Sequence, residues 1–567
     1  MSDVPAAPGP AARLLARFTD PAPRYGPLPL WWWSGAPVTR ERLRAQMELL
    51  IGQEVTQAVV ICLAPTGPMF GSLADDPPYL SPEWLTLLDG ACADAAELGF
   101  TLWMYDQIGF SGANFQGLLT ARDPEFAGLG LYRTTASTDG GPAVVRPPAG
   151  HTVLGAYAVP HGGAPRARPV PVPVDAGGAA RWDGPPARLT LVHSGVSGFD
   201  YFGTKACAAL LDQVHGTLER AVGKWFGRSI GGFFQDELPA LPTWGRDFAA
   251  GFAAAYGYDL VPRLSALWED GDDDAARVRR DYQEHRARLG QRAFFGPQRA
   301  YFERHGLICG FDQPSPAREG DPVGGVKVYG DYHATHRGYG APGSDHWGDA
   351  KVHSSMAHAN GEPRTWIEAF HSSGWGGTLE ETYDWLSPFL RRGANLYDPH
   401  AVYYATPGGW WEWAPPSTCW RQPYWPAYHV FARAVARLCS VLTAGRHVCD
   451  TVLLSPTTTA QSYLTLDGPL PPAREAAALY HRLNGVGTWF AERPGVLEDA
   501  GLDHDVLDES TLARARAGRD AHGAALTLGA ETYRTVVLPG PRALHASAAA
   551  VLARFARAGG RVVCVGR

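Results

Sequence analysis

Ile230-Gly231-Gly232-Phe233-Phe234-Gln235-Asp236-Glu237-Leu238-Pro239 is a short apolar run that ends in two acids and is stopped by proline. Its length and texture are those of a strand buried on both faces, as in a parallel sheet. Arg364-Thr365-Trp366-Ile367-Glu368-Ala369-Phe370-His371 has the same grammar, a strand-like run reaching a carboxylate beside an aromatic and a histidine. Carboxylates at the carboxyl ends of two strands far apart in the chain are how a (β/α)8 TIM-type barrel assembles a site, because the loops at that end carry the chemistry.

Working outward, Pro27–Trp33 reads as a strand and Thr39–Leu50 as a helix capped by Thr39. Thr56–Leu63 is a continuous apolar run, and Ser81-Pro82 opens a helix that reaches Leu98. Phe100–Asp106 is a further buried strand ending in an acid. Three strand–helix repeats in succession predict a parallel sheet.

Residues 126–200 break the pattern: short alternating runs at Gly128–Arg133, Thr152–Val159 and Ala187–His193 lie between Gly/Pro/Asp clusters, which predicts an inserted antiparallel β module. Helical texture resumes over Thr204–Val222, Asp247–Tyr256, Pro262–Trp268 and Asp274–His305. Leu307–Asp312 and Val326–Tyr329 are expected strands, Asp331–Trp347 a His-rich loop, Thr378–Arg392 a helix, and Ala394–His400 the last strand. The count of roughly eight makes residues 25–445 a candidate barrel.

Residues 446–567 read as a separate flavodoxin-like, doubly wound α/β unit. Its expected strands are Thr451–Ser455, Asp505–Leu507, Arg534–Leu538 and Arg561–Val565, with helices at Arg474–Asn484 and Ser547–Ala558. Pro539-Gly540-Pro541 lacks the amides that cradle a pyrophosphate, so a nucleotide is not expected there. The sequence stops soon after its last strand, which leaves open a native chain running beyond residue 567.

A formal charge of −7 over 567 residues, with no basic block, argues against nucleic acid as a partner. The four lysines among many arginines, with abundant Ala, Gly and Pro, reflect a GC-rich, bacterial genome. The eight cysteines show no CxxC pair, which suits a reducing compartment. No export core follows Met1 and no run reaches the ~18 apolar residues of a membrane span, so a cytoplasmic location and no membrane partner are expected. Oligomeric state is not legible.

Of nineteen tryptophans, eight cluster at Trp31-Trp32-Trp33, Trp410-Trp411-Glu412-Trp413, and Trp420 with Trp425. Indole faces stack on the C–H faces of sugars, so a carbohydrate is the partner such clefts suit. Paired carboxylates serve glycoside hydrolysis, one protonating the leaving oxygen and the other activating water or attacking the sugar.

Trp31-Trp32-Trp33-Ser34, Tyr79-Leu80-Ser81-Pro82-Glu83-Trp84, Leu102-Trp103-Met104-Tyr105-Asp106, Gly232 to Glu237, and Glu368-Ala369-Phe370-His371 come in this order. Together they resemble the α-L-rhamnosidase-like barrels of glycoside hydrolase family 106, over about residues 25–445. The C-terminal unit resembles the amidotransferase-like domain that often follows such barrels. The family's acidic pair commonly precedes proline directly, whereas Leu238 intervenes here, which weakens transfer of the exact substrate. The resemblance implies inverting hydrolysis of an α-linked deoxy sugar, often with calcium, although the sequence itself requires no cofactor.

Glu237 is expected as general acid, pushed toward its protonated form by Asp236 and by burial, and Glu368 as general base. The two roles are interchangeable at this level. Asp106 is expected either to bind a sugar hydroxyl or to cap a turn. Asp236, Asp398, His346, His371 and His400 are further substrate-binding candidates, and Trp32, Trp33, Trp375, Trp411 and Trp413 the aromatic ones. His333 and His336 have a zinc-like spacing without supporting ligands. Oxygen donors for calcium would be Asp331, Asp345 or Asp349. Two alternatives stand beside this reading: a retaining β-galactosidase-like enzyme, and a carbohydrate-binding protein without catalysis.

Overall fold

The computed structural model describes residues 9–62, 75–110, 113–162, 169–369, 375–406, 417–488 and 491–566. Seven parallel strands lie side by side in the order Gly340–Ala341, Ile308–Asp312, Ile230–Asp236, Thr101–Tyr105, Gln57–Ile61, Leu30–Trp32, Val402–Tyr403. A second parallel sheet holds Gly343–Asp345, Trp366–Ala369 and Leu396–Pro399. Only Pro342 separates the two sheets at one junction, and only His400 and Ala401 at the other. With helices between successive strands, the arrangement fits a TIM-type barrel.

Side-chain alternation sorts these strands into two cores. Leu30, Trp32, Val59, Ile61, Trp103, Tyr105, Phe234, Trp366 and Leu396 share one apolar cluster. Their neighbours Trp31, Trp33, Ala58, Val60, Leu102, Met104, Phe233 and Ile367 belong to the larger cluster that packs against the helices. The period of two along a strand therefore decides which residues reach the enclosed face.

Helix starts follow their caps. Thr39, Ser81 and Asp272 accept a hydrogen bond from a first-turn backbone N–H, and Thr378 forms a reciprocal capping box with Glu381. The expected strand at Val326–Tyr329 is instead the end of the Pro322–Tyr329 helix. Asp321 caps it, accepting from Gly324 N–H, and Pro322 occupies its first turn, so the start signal outweighs the β-branched valines.

Ala127–Thr138, Thr152–Pro160, Val170–Pro171 and Ala187–Phe199 form an antiparallel sheet, joined by the pair Ala143–Val145 and Ala180–Trp182. This segment has an apolar cluster of its own, including Ala158, Leu189 and Leu191. Farther along, Thr451–Leu454, His504–Leu507, Thr535–Pro539 and Arg561–Val565 make a parallel sheet in which the first strand sits between the second and third. An antiparallel trio, Arg516–Asp520, Gly523–Leu528 and Glu531–Tyr533, stands beside it and was not anticipated. All eight cysteines are free thiols. Among the described residues no helix is long and apolar enough to cross a membrane.

Candidate active site

A cavity of about 110 Å³ opens where the parallel strands end, and Asp236, Glu237, Asp312, Asp345 and Glu368 all line it. The first three come from the ends of the Ile230–Asp236 and Ile308–Asp312 strands, the others from Gly343–Asp345 and Trp366–Ala369. Trp32, Tyr105, Phe110, Trp347 and His400 supply the aromatic part of the wall, with Arg318 as its cation. A larger cavity of about 690 Å³ lies elsewhere, walled by Lys205, Arg246, His285, Arg288 and Arg292. None of the paired carboxylates reaches it, so the smaller cavity is the chemical candidate.

The backbone around Glu237 is tightly determined. Its φ of 44° lies in the left-handed region, which a non-glycine residue adopts only when its surroundings demand it. Glu237 N–H donates to Asp312 O at 2.9 Å, and Leu238 N–H donates to Gln313 Oε1 at 2.9 Å. From the other side, Phe110 N–H donates to Asp236 O at 2.8 Å. A Cβ on Gly109 would stand 1.7 Å from that same Asp236 oxygen, so only glycine lets the loop press against the strand end.

Electrostatics separate the five carboxyls. Glu368 is only 6% exposed, and its register neighbours across the sheet are Asp345 and Asp398. Burial first, then Asp236, Asp398, Asp312 and Asp345, raise its pKa well above the carboxylate range. Asp236 is raised too, by burial and then by Asp312 and Glu237, while Tyr105 donates its hydroxyl to Asp236 Oδ2 at 2.6 Å. Burial lifts Asp312 to about 6 against the pull of Arg318. Asp345 is also raised, by burial and then by Asp312.

Arg318 organises this group. Its Nη1 lies 2.7 Å from Asp312 Oδ2, 3.0 Å from Asp345 Oδ2 and 3.3 Å from Glu237 Oε1. Neither Arg318 nor Asp312 was singled out in the sequence, although the Leu307–Asp312 run ends in an acid just as the two diagnostic strands do. Glu237 departs from the expectation of a buried acid: its side chain is 37% exposed and faces this guanidinium.

Alternation along the strands explains which other candidates arrive. Trp32 and Asp236 share the parity of the enclosed face, and His400 meets Trp32 edge-on at 5.9 Å. Asp398 has the same parity but is completely buried and does not line the cavity; burial raises its pKa. Trp33 is one residue out of phase and packs against Trp31 and Trp84 in the helix-facing core, which rules out sugar contact. His346 is fully buried between Trp347 and Trp385, and Trp375 is 38% exposed; neither lines the cavity. His371, Trp411 and Trp413 lie outside the described residues. Trp347, missed in the sequence, borders the cavity with 42% of its surface exposed.

Asp106 also points away from the cavity. Its Oδ1 accepts from Ile108 N–H at 3.0 Å and its Oδ2 from Gln235 Nε2 at 3.0 Å, so it is the turn cap and not the hydroxyl binder. Burial raises its pKa to about 7. Between the unfolded value of about 4 and that figure the native state retains a proton that the unfolded chain has lost, so stability falls as pH rises. Asp106→Asn should flatten this slope by an amount on the order of a few kcal/mol. Urea unfolding at about pH 5 and about pH 8 measures it, and an unchanged difference between the two would refute the assignment.

The calcium candidates do not converge. Asp331 caps the Tyr332–Thr335 turn through Ala334 N–H, and Asp349 accepts from Lys351 N–H and lies 3.3 Å from Arg392. Asp345 is committed to Arg318. In the cavity the guanidinium already stands where carboxyl oxygens gather, so this donor set does not fit an added calcium ion. His333 and His336 are both buried and do not form a ligand set; the His336 ring packs on Phe295, Phe311 and Tyr329.

No protein-family model matches the sequence, and no curated protein matches it either. Solved structures do resemble the fold. The rhamnosidase from Novosphingobium sp. PP1Y superposes with a TM-score of 0.68 at 14% identity, over 99% of this chain and 70% of that one. The cold-adapted β-galactosidase from Rahnella sp. R3 gives 0.52 at 13% identity, over 95% and 71% of the two chains. A catalytic mutant of Gan42B, a GH42 β-galactosidase from G. stearothermophilus, gives 0.52 at 10% identity, over 96% and 72%. The chain thus has a fold similar to that of glycoside hydrolases with TIM-type barrels.

Proposed function

We propose that this chain is a glycoside hydrolase whose acid/base pair is Glu237 and Glu368. The observation that carries the reading is that these carboxyls, from strands far apart in sequence, line one cavity with an aromatic wall. Cleavage needs one carboxyl protonated to donate to the leaving oxygen and one ionised to activate water or attack the anomeric carbon. Asp236, held by Tyr105, and His400 are the candidates for holding sugar hydroxyls, and Trp32 and Trp347 for stacking on the ring.

With Glu237 as donor and Glu368 as base, the proton that burial holds on Glu368 in the free site must leave when substrate binds. In the reversed order that same proton on Glu368 is the one donated to the leaving oxygen. Leaving-group dependence separates the two, because the variant lacking the donor keeps most of its activity only on glycosides whose leaving group needs no protonation.

The finer reading is an inverting, α-L-rhamnosidase-like enzyme with a (β/α)8 barrel over residues 25–445, an inserted module over 126–200 and a flavodoxin-like unit over 446–567. The residue resemblance and the likeness to a rhamnosidase structure support it. A retaining β-galactosidase-like enzyme is the second reading, supported by the likeness to β-galactosidase structures. A panel of nitrophenyl glycosides, with proton NMR of the first anomer released, tests both. The expected outcome is hydrolysis of the α-L-rhamnoside with inversion; retention would favour the second reading, and no turnover of any glycoside would overturn the proposal.

A further inference from the structure

We propose that His358, His447, Cys449 and Asp505 form a binding site for a divalent transition metal of the zinc class, where the Ala350–Asn360 helix meets the C-terminal parallel sheet. The site is separate from the carboxylate cavity and does not depend on the proposed hydrolysis.

Three donors, His358, His447 and Asp505, converge from different places in the chain, with the Cys449 thiol beside Asp505. His358 sits on the helix, His447 and Cys449 precede the Thr451–Leu454 strand, and Asp505 lies on the His504–Leu507 strand. His358 Nδ1 is 2.8 Å from Asp505 Oδ1, and His447 Nδ1 is 3.4 Å from the same oxygen. Cys449 Sγ is 3.5 Å from Asp505 Oδ2. Ligand atoms of the two histidines and the aspartate all lie within 4.8 Å of one another. Bonds of about 2.0–2.3 Å to a tetrahedral zinc place ligand atoms roughly 3.3–3.8 Å apart, so the three can share one ion after small side-chain adjustments, and rotation of the Cys449 side chain is the move that would bring in a fourth ligand.

The surroundings are those of a ligand set. His447 Nε2 lies 2.7 Å from Asp503 Oδ2, and Lys351 Nζ holds Asp503 at 2.7 Å. Without a metal, His447 can satisfy both carboxylates as an imidazolium, Nε2–H donating to Asp503 and Nδ1–H to Asp505; a metal would take the place of the Nδ1 proton. The Asp503 carboxylate would then keep Nε2–H oriented and Nδ1 turned toward the ion, as supporting carboxylates do for metal-bound histidines. Asp505 is completely buried and also accepts from the Tyr533 hydroxyl at 2.8 Å, which fixes its orientation. The imidazoles, stacked with centroids 4.4 Å apart, keep 25% and 18% of their side-chain surface exposed, an entry route for an ion. Two imidazoles and a thiol select zinc-like ions over calcium or magnesium.

The test uses the full chain, stripped with a chelator and titrated with Zn²⁺ by calorimetry and with Co²⁺ by absorption. One equivalent is expected, with the intense visible bands of tetrahedral cobalt and a thiolate-to-cobalt band that Cys449→Ser abolishes. Asp503→Asn should weaken binding about 10- to 100-fold, as loss of a supporting carboxylate does. Should His358→Ala/His447→Ala bind as much metal as the parent, or the parent show only octahedral cobalt, the cluster is a hydrogen-bonded ion group and the proposal fails. The cobalt spectrum of the parent decides the matter even where the variants do not fold.

Discussion

Glu368→Gln is expected to lower kcat by about 10²- to 10⁴-fold, the range that removal of a general acid or base commonly gives. The fold should survive, because glutamine has the shape of the protonated acid that burial favours at this position. The same substitution should remove a pH-dependent liability. A carboxyl whose native pKa is raised gives up stability as pH climbs from its unfolded value toward its native one, and glutamine has no proton to lose. The variant is therefore expected to be catalytically crippled yet at least as stable as the parent above neutrality. Steady-state rates and denaturant melts on one preparation check both halves. A variant that hydrolyses at the parental rate removes Glu368 from the mechanism.

Arg318→Met is the second large effect, and it is expected in stability first. Its guanidinium is the cation within 3.3 Å of Asp312, Asp345 and Glu237, and only 12% of the side chain is exposed. Removing one partner of a buried ion cluster leaves the others charged without compensation, at a cost of about 3–5 kcal/mol. That cost should shrink on acidification. Asp312 titrates at about 6 even with Arg318 beside it, so without the arginine both buried aspartates take up protons more readily still. Denaturant midpoints should differ strongly from the parent at about pH 8 and converge toward about pH 5. Equal deficits at both would show that the loss comes from packing and not from charge. Asp312→Asn combined with Arg318→Met should recover part of the stability, since asparagine can stay neutral where aspartate cannot.

The strands that position Glu237, Asp312 and Glu368 were legible because buried parallel strands read as unbroken apolar runs, and the caps at Thr39, Ser81 and Thr378 made the helices equally plain. Gly340–Ala341 and Gly343–Asp345, expected as part of a His-rich loop, are strands too short and glycine-rich to show such a run. What the runs did not convey was phase. Trp32 and Trp33 are chemically identical and adjacent, yet one faces the cavity and the other the helices. Applied to Trp103, Phe234 and Trp366 as interior residues, strict alternation brings Tyr105, Asp236 and Glu368 inward and turns Asp106 outward. Arg318 was invisible for another reason. It sits on the loop after the Ile308–Asp312 strand, and nothing local marks one arginine among many as the partner of Asp312 and of two acids far away in the chain, Glu237 and Asp345. The antiparallel trio after Asp508 escaped notice because its first strand, Arg516–Asp520, is mostly polar and exposed.

The ratio of acids to bases lining the cavity has a bearing on which saccharides it admits. Five carboxyls and a single guanidinium line it. Because burial holds Asp236, Asp345 and Glu368 toward their protonated forms, a uronate, a sulfate ester or a phosphorylated ring would meet like charge there only as pH rises and those protons are lost. A neutral, hydroxyl-rich ring meets acceptors for its O–H groups and aromatic faces for its C–H groups. Under the proposed function, discrimination against anionic glycans is therefore expected to sharpen with rising pH, before any contact specific to one sugar is made.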